Sequence, residues 1–412
     1  MPSLILPTAD GGTHRYALRP ATGWGRPAAP LTSRHAYAAA HVIPLIEADN
    51  TPGAPAQLDW DATLAYRHEL WSYGLGVADA MDTAQRGMGL DWDATQQLIK
   101  RSGAEAAAVV GSGTPALAGK SVRDLVACGA GTDQLDLTGL PADLPAGSAA
   151  SKAALQQVID AYREQIAVVE GAGPKVILMA SRALARVATL PEDYLHVYST
   201  LLREVDQPVI LHWLGTMFDP ALAGYWGSDD VEQGTATFLE LIRGNADKVD
   251  GVKVSLLDAC HEVALRAALP AGVRLYTGDD FNYPELIDGD GERHSDALLG
   301  VFAAIYPAAS AALQSYDAGD PRGGRALLDS TRELGLHIFS APTFFYKTGI
   351  AFLSWLNGMQ PGFQMVGGLQ SGRSVPHLSR TFELADQAGL LLDPELAAAR
   401  MAAFLSVNGV SS

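Results

Sequence analysis

The sequence predicts a closed (β/α)8 barrel of the TIM type with a C-terminal helical extension. Three observations carry that expectation. Between residues 39 and 307, eight short apolar runs of β-type residues alternate with amphipathic helical stretches, the pattern of a parallel sheet with helical crossovers. Most of these runs close on polar residues, as strands do at the C-terminal face of a barrel, where chemistry sits. After residue 307 the pattern is helical alone.

In chain order, residues 1–38 read as an irregular N-terminal arm, because Pro2, Pro7, Pro20, Pro27 and Pro30 interrupt any regular element. The eight expected strands are AAHVIPLI (39–46), LGVADAM (75–81), DLVACGAG (124–131), KVILMAS (175–181), PVILHWL (208–214), GVKVSLL (251–257), VRLYTGDD (273–280) and DALLGVFAAIY (296–306). Between them lie stretches such as DATLAYRHELWSYG and PEDYLHVYSTLLREV, with apolar residues at spacings of three and four. LDWDAT occurs at 58–63 and again at 90–95, and each copy offers an N-cap, Asp59 or Asp91, with a second acidic residue in the first turn, Asp61 or Asp93. A Gly- and Pro-rich tract at 138–151 and WGSDDVEQG at 226–234 read as excursions from the barrel. Residues 308–412 are expected to form helices packed on it.

With 412 residues, 48% of them hydrophobic, the chain can build a large core. A net charge of −17 opposes binding to a phosphate backbone or an anionic membrane, so neither nucleic acid nor a membrane is an expected partner. No apolar run approaches the roughly 18 residues of a membrane span, and MPSLILPTADGGTHRYALRP lacks the features of a secretory signal, which points to a soluble cytoplasmic protein. Cys128 and Cys260 are too few for a disulfide framework or a thiolate metal site.

Lys253 stands out because it lies between Val252 and Val254 in a buried-type strand. A buried ammonium is costly unless paired or neutralised. Desolvation favours the neutral amine, a nucleophile that forms an imine with a carbonyl and so stabilises a neighbouring carbanion. The alternative is an ion pair with Asp79, Asp82 or Asp279. Other polar residues at the expected strand ends are Thr83, Gln85, Arg86, Ser181, Arg182, His212, Asp280 and, leading the eighth strand, Asp296.

GVKVSLLDACHEVALRAALPAGVRLYTGDD resembles the segment of the dihydrodipicolinate synthase and N-acetylneuraminate lyase superfamily in which a G-[IV]-K strand carries the imine-forming lysine. VIPLIEADN, GLGVADAMDTAQRGMGLD, PVILHWLG and SDALLG resemble other strands of that superfamily in register. The resemblance implies a class I aldolase-type lyase with Lys253 as the imine lysine, no cofactor beyond that covalent imine, and a homo-oligomer. It places Thr83 on the first threonine of the G-T-T-G-E motif, a proton relay. The second threonine, which helps hold a 2-keto acid carboxylate, is Ala84 here, and His212 replaces the tyrosine of I-L-Y-N. Phe218 stands where an arginine would grip the same carboxylate.

Histidine can take over acid and base work near neutral pH. With both carboxylate holders missing, the expected substrate is a small carbonyl compound other than pyruvate, or one held by Arg86 or Arg182. Asp82, Gln85, Asp279, Asp280 and Asp296 suit sugar hydroxyls and Trp213 a sugar face, which suggests a sugar-derived keto compound and a place in carbohydrate metabolism. Two other readings stay open. One is a divalent-metal-dependent sugar isomerase or aldolase with His212, Asp82, Asp279 and Asp280 as ligands; the other is an inactive barrel that only binds.

Overall fold

The computed structural model describes residues 2–142 and 144–410. Asp143, within the expected 138–151 excursion, lies outside the described residues, as do Met1 of the arm and Ser411 and Ser412 of the extension. Ten strands are formed: β1 (Ser3–Pro7), β2 (Thr13–Ala17), β3 (Ala36–Ala39), β4 (Gly76–Asp79), β5 (Val126–Ala130), β6 (Lys175–Leu178), β7 (Val209–Leu214), β8 (Val249–Ser255), β9 (Arg274–Thr277) and β10 (Asp296–Leu299). β3 to β10 make a closed barrel in sequence order, parallel throughout, with β10 pairing back onto β3. This is the expected (β/α)8 barrel, and a helical C-terminal region follows it.

Three expectations need correction. The first barrel strand is Ala36–Ala39, inside the stretch read as an irregular arm. The longer apolar run after it is a connection, buried as far as Pro44 and exposed at Leu45 and Ile46, in which Ile43 N–H donates to the Thr63 hydroxyl and Pro44 has no N–H to give a ladder. The arm is itself ordered, because β1 and β2 pair as an antiparallel ribbon whose prolines fall at or outside the strand ends. Tyr16 OH donates to Asp386 at 2.7 Å, fastening that ribbon to the helix Val375–Gln387. Finally, the eighth strand stops at Leu299 and the rest of its apolar run is the buried helix Val301–Asp317, so a division at 307 and 308 falls within one helix.

Asp59 and Asp91 cap their helices as the repeat predicts, accepting from Ala62 N–H and Ala94 N–H. WGSDDVEQG is an excursion only in its first half, since Asp230 caps the helix Val231–Gly244. Two cores result from the strand alternation. One is the small interior of the barrel, with Tyr37, Ala78, Ile177, Ile210, Tyr276 and Leu298; the other fills the space between barrel and helices. Among the described residues no helix is long and apolar enough to cross a membrane.

Candidate active site

The interior alternation decides which polar residues meet. On β7, Ile210 faces the interior, so His212 does too; on β8, Lys253 and Ser255 share the face of Gly251. His212 and Lys253 are direct register partners on adjacent strands. Gly278 leaves room for the lysine stem, since a Cβ there would lie 2.9 Å from Lys253 Cε and would collide with Ser255 Oγ.

Lys253 is 8% exposed, and among the described residues it has neither a hydrogen-bond partner nor a carboxylate within 4.0 Å. Burial pulls its pKa below the ordinary lysine value, while the charges of Asp82 and Asp280 pull the other way. The ion-pair alternative is not what forms. Asp79 points outward to Arg67, at 2.8 and 3.1 Å, and accepts from Ser102. Asp279 accepts from the N–H groups of Phe281 and Asn282, closing the turn that follows β9.

Around Lys253 the electrostatics are set by dryness. Burial, then the neighbouring Lys253 charge, push His212 well below the usual histidine range, so its imidazole is neutral. Its Nε2 lies 3.3 Å from Ser255 Oγ, and its Nδ1 is buried without a partner among the described residues. Asp280 accepts from Val301 N–H at 2.7 Å, yet burial lifts its pKa to about 7. Thr83 follows β4 in the short turn Asp82–Ala84, and its hydroxyl lies 2.8 Å from Tyr346 OH.

Tyr346 is a residue that sequence reasoning passed over. It opens the helix Tyr346–Leu356, lies stacked on Phe339 at 4.3 Å, and feels the same two carboxylates, Asp82 and Asp280, that act on Lys253. Gly300, at the end of β10, makes space for it, since a Cβ there would lie 3.2 Å from the tyrosine ring. Lys347 comes with it. It is buried, donates to Phe344 O at 2.8 Å, sits over the Phe344 and Tyr346 rings, and is drawn down by burial to a pKa of about 8.

A cavity of about 230 Å³ opens at the C-terminal ends of β4 to β7, lined by Asp82, Arg86, Thr132, Ser181, Arg182 and His212 among others. Lys253 borders it through His212 and Asp82 rather than lining it. Four expected site residues lie elsewhere. Trp213, one position past His212, faces outward into an aromatic cluster with Phe238 and Trp226. Gln85 donates to Val366 O and ties the C-terminal region to the barrel. Asp279 is the turn cap already described. Asp296 leads β10 and so lies at the opposite, N-terminal end, where it accepts from His35 N–H and faces Arg274 at 3.6 Å.

Arg86 lines the cavity with its donors already used. It grips Asp133 through Nε and Nη2, donates to Gly129 O and Ala80 O through Nη1, and contacts Gln165. The four ligands of the metal reading do not assemble, and among the described residues no group of three or more His, Cys, Asp or Glu side chains is placed to hold a metal ion.

Residues 4–410 match the model of a family described as "Protein of unknown function (DUF993)", and the chain belongs to that family. Among curated proteins the chain has no match. Among solved structures it is similar to a putative dihydrodipicolinate synthetase from Pseudomonas aeruginosa, with a TM-score of 0.59 and 14% identity over 86% of this chain and 99% of the other. A prophage protein of the dihydrodipicolinic acid synthase family from E. coli, solved in complex with pyruvate, gives 0.59 and 13% identity over 87% and 99%. Dihydrodipicolinate synthase from Thermotoga maritima gives 0.58 and 13% over 87% and 100%. The resemblance read from the sequence therefore holds at the level of fold.

Proposed function

We propose that this DUF993 chain is a Schiff-base-forming lyase or aldolase, acting through Lys253 on a small carbonyl compound other than pyruvate. The observation that carries the reading is the unpaired, buried Lys253 amine beside the neutral His212 at the C-terminal face of the barrel. The neutral amine adds to the carbonyl carbon, the carbonyl oxygen takes up protons and leaves as water, and a protonated imine remains. Electrons of an adjacent bond then flow into the imine, breaking a C–C or C–O bond. Thr83 and Tyr346 form a hydroxyl pair suited to carrying protons to and from the departing oxygen. His212 lines the cavity as a neutral imidazole whose Nδ1 is bare of partners among the described residues. The fold shared with dihydrodipicolinate synthases supports this class of reaction, and the absent carboxylate holders at Ala84 and Phe218 support a substrate other than pyruvate.

Borohydride reduction with a panel of ketoses, 3-keto sugars and 2-keto acids, followed by intact mass and peptide mapping, tests the reading. A stable adduct on Lys253 from one compound is expected. Absence of any adduct, with Lys253→Ala still turning over or binding a sugar, would overturn it and favour the metal-dependent or binding-only alternatives.

A further inference from the structure

The cavity contains two arginines in different states. Arg86 has spent its donors on Asp133, two main-chain carbonyls and Gln165. Arg182 is bound only through Nε, at 2.5 Å to Asp219, which is itself fixed by capping Ala221 N–H. Among the described residues neither terminal nitrogen of Arg182 has a partner; its side chain is 43% exposed, and the residue lines the cavity. Asp219 therefore orients the guanidinium and leaves its outer fork open.

Beside it, Thr132 and Ser181 also line the cavity, at 5% and 2% exposure, with their hydroxyl oxygens 2.6 Å apart. Ser181 Oγ already accepts from Leu184 N–H. Two hydroxyl protons are present and only one is used between the pair, so whichever residue donates, one O–H donor is left over. This end of the cavity thus offers free donors beside two carboxylates, Asp133 and Asp219, that are already engaged by the arginines, whereas Asp82 supplies a carboxylate at the other end.

We infer that the substrate carries, apart from its carbonyl, an anionic oxygen group, carboxylate or phosphate, received by the open fork of Arg182 and the spare hydroxyl of Thr132–Ser181. Arg182 follows β6, two strands from Lys253 on β8, which at ~4.8 Å per strand puts the anion about 10 Å round the barrel from the amine. The group is therefore distal to the reacting carbon, unlike the adjacent carboxylate of a 2-keto acid. A planar fork binds such oxygens in pairs, and lysine would not replace it. The inference rests on the imine reading only for the position of the reacting carbon.

Isothermal titration of the wild type and Arg182→Gln with succinate and with inorganic phosphate, at fixed ionic strength, tests it directly. One of the two probes should bind the wild type, its identity telling carboxylate from phosphate, and Arg182→Gln should weaken it about 10-fold or more, with Arg182→Lys intermediate. No binding by either probe, or equal binding by Arg182→Gln, overturns the inference. Borohydride trapping with fructose 6-phosphate against fructose, and 7-oxooctanoate against 2-heptanone, pairs whose anionic member is long enough to span from the amine to the Arg182 fork, separates the two readings. Failure of all four to label Lys253 counts against the imine alone, while equal labelling within both pairs counts against the anion site alone.

Discussion

The Tyr346 hydroxyl stands 2.8 Å from Thr83 Oγ1, joining a helix of the C-terminal region to the turn that follows β4. Burial keeps the phenol protonated well beyond neutral pH, and the stacked Phe339 ring fixes its direction. If the pair relays protons, Tyr346→Phe and Thr83→Val should each slow trapping or turnover at Lys253 by about 10²-fold, and the double variant should be little worse than either. Single-turnover rates check this. Additive losses would mean that the two hydroxyls act separately.

Burial lowers the Lys253 pKa, and the charges of Asp82 and then Asp280 oppose it. Asp280→Asn removes one of the opposing charges, so the amine becomes neutral at a lower pH. The acid limb of imine formation should move downward in pH, with the plateau rate little changed. The pH profile of borohydride trapping reads this out. An upward shift, or none, would show that Asp280 does not act on Lys253.

How much of this was legible from residues alone depends on range. The strands showed because runs such as KVILMAS are short, apolar and bounded, and Lys253 and His212 showed because they are polar within such runs. AYAA at β3 was hidden by its shortness and by the longer apolar run beyond it, which packs without joining the sheet. Trp213 was excluded in principle by period-two alternation, since its neighbour His212 faces inward. Asp296 was excluded by direction, because a residue that leads a parallel strand lies at the far end of the barrel from one that closes it. Tyr346 and Lys347 in FFYKTG had no local signal, because only the path of the C-terminal helices brings them over the strand ends.

Arg67 and Asp79 are both fully buried and joined by two hydrogen bonds, with Ser102 adding a third bond to the carboxylate. Asp79→Ala leaves a buried guanidinium without its counter-charge and should cost ~3–5 kcal/mol. Replacing both, as Arg67→Met with Asp79→Leu, should recover much of that. Urea unfolding of the three proteins checks it, and a double variant no better than Asp79→Ala would show that the pair contributes more than charge balance.

Lys347 carries a cost that the fold must offset. Its pKa falls from 10.5 to about 8 because burial disfavours the ammonium, with Asp82 opposing the change. Below pH 8 folded and unfolded states both hold the proton, so the full penalty weighs on the native state, about 3 kcal/mol when each pH unit between the two values is worth ~1.36 kcal/mol. Between about pH 8 and 10.5 the unfolded state binds more protons, so this group makes stability rise with pH. Lys347→Met, similar in length and free of charge, should therefore raise stability at pH 7 and flatten that rise, as urea unfolding at pH 7 and pH 9 would show. The opposite result, a variant less stable at pH 7, would mean that the bond to Phe344 O and the contacts with the Phe344 and Tyr346 rings outweigh the cost of burying the charge.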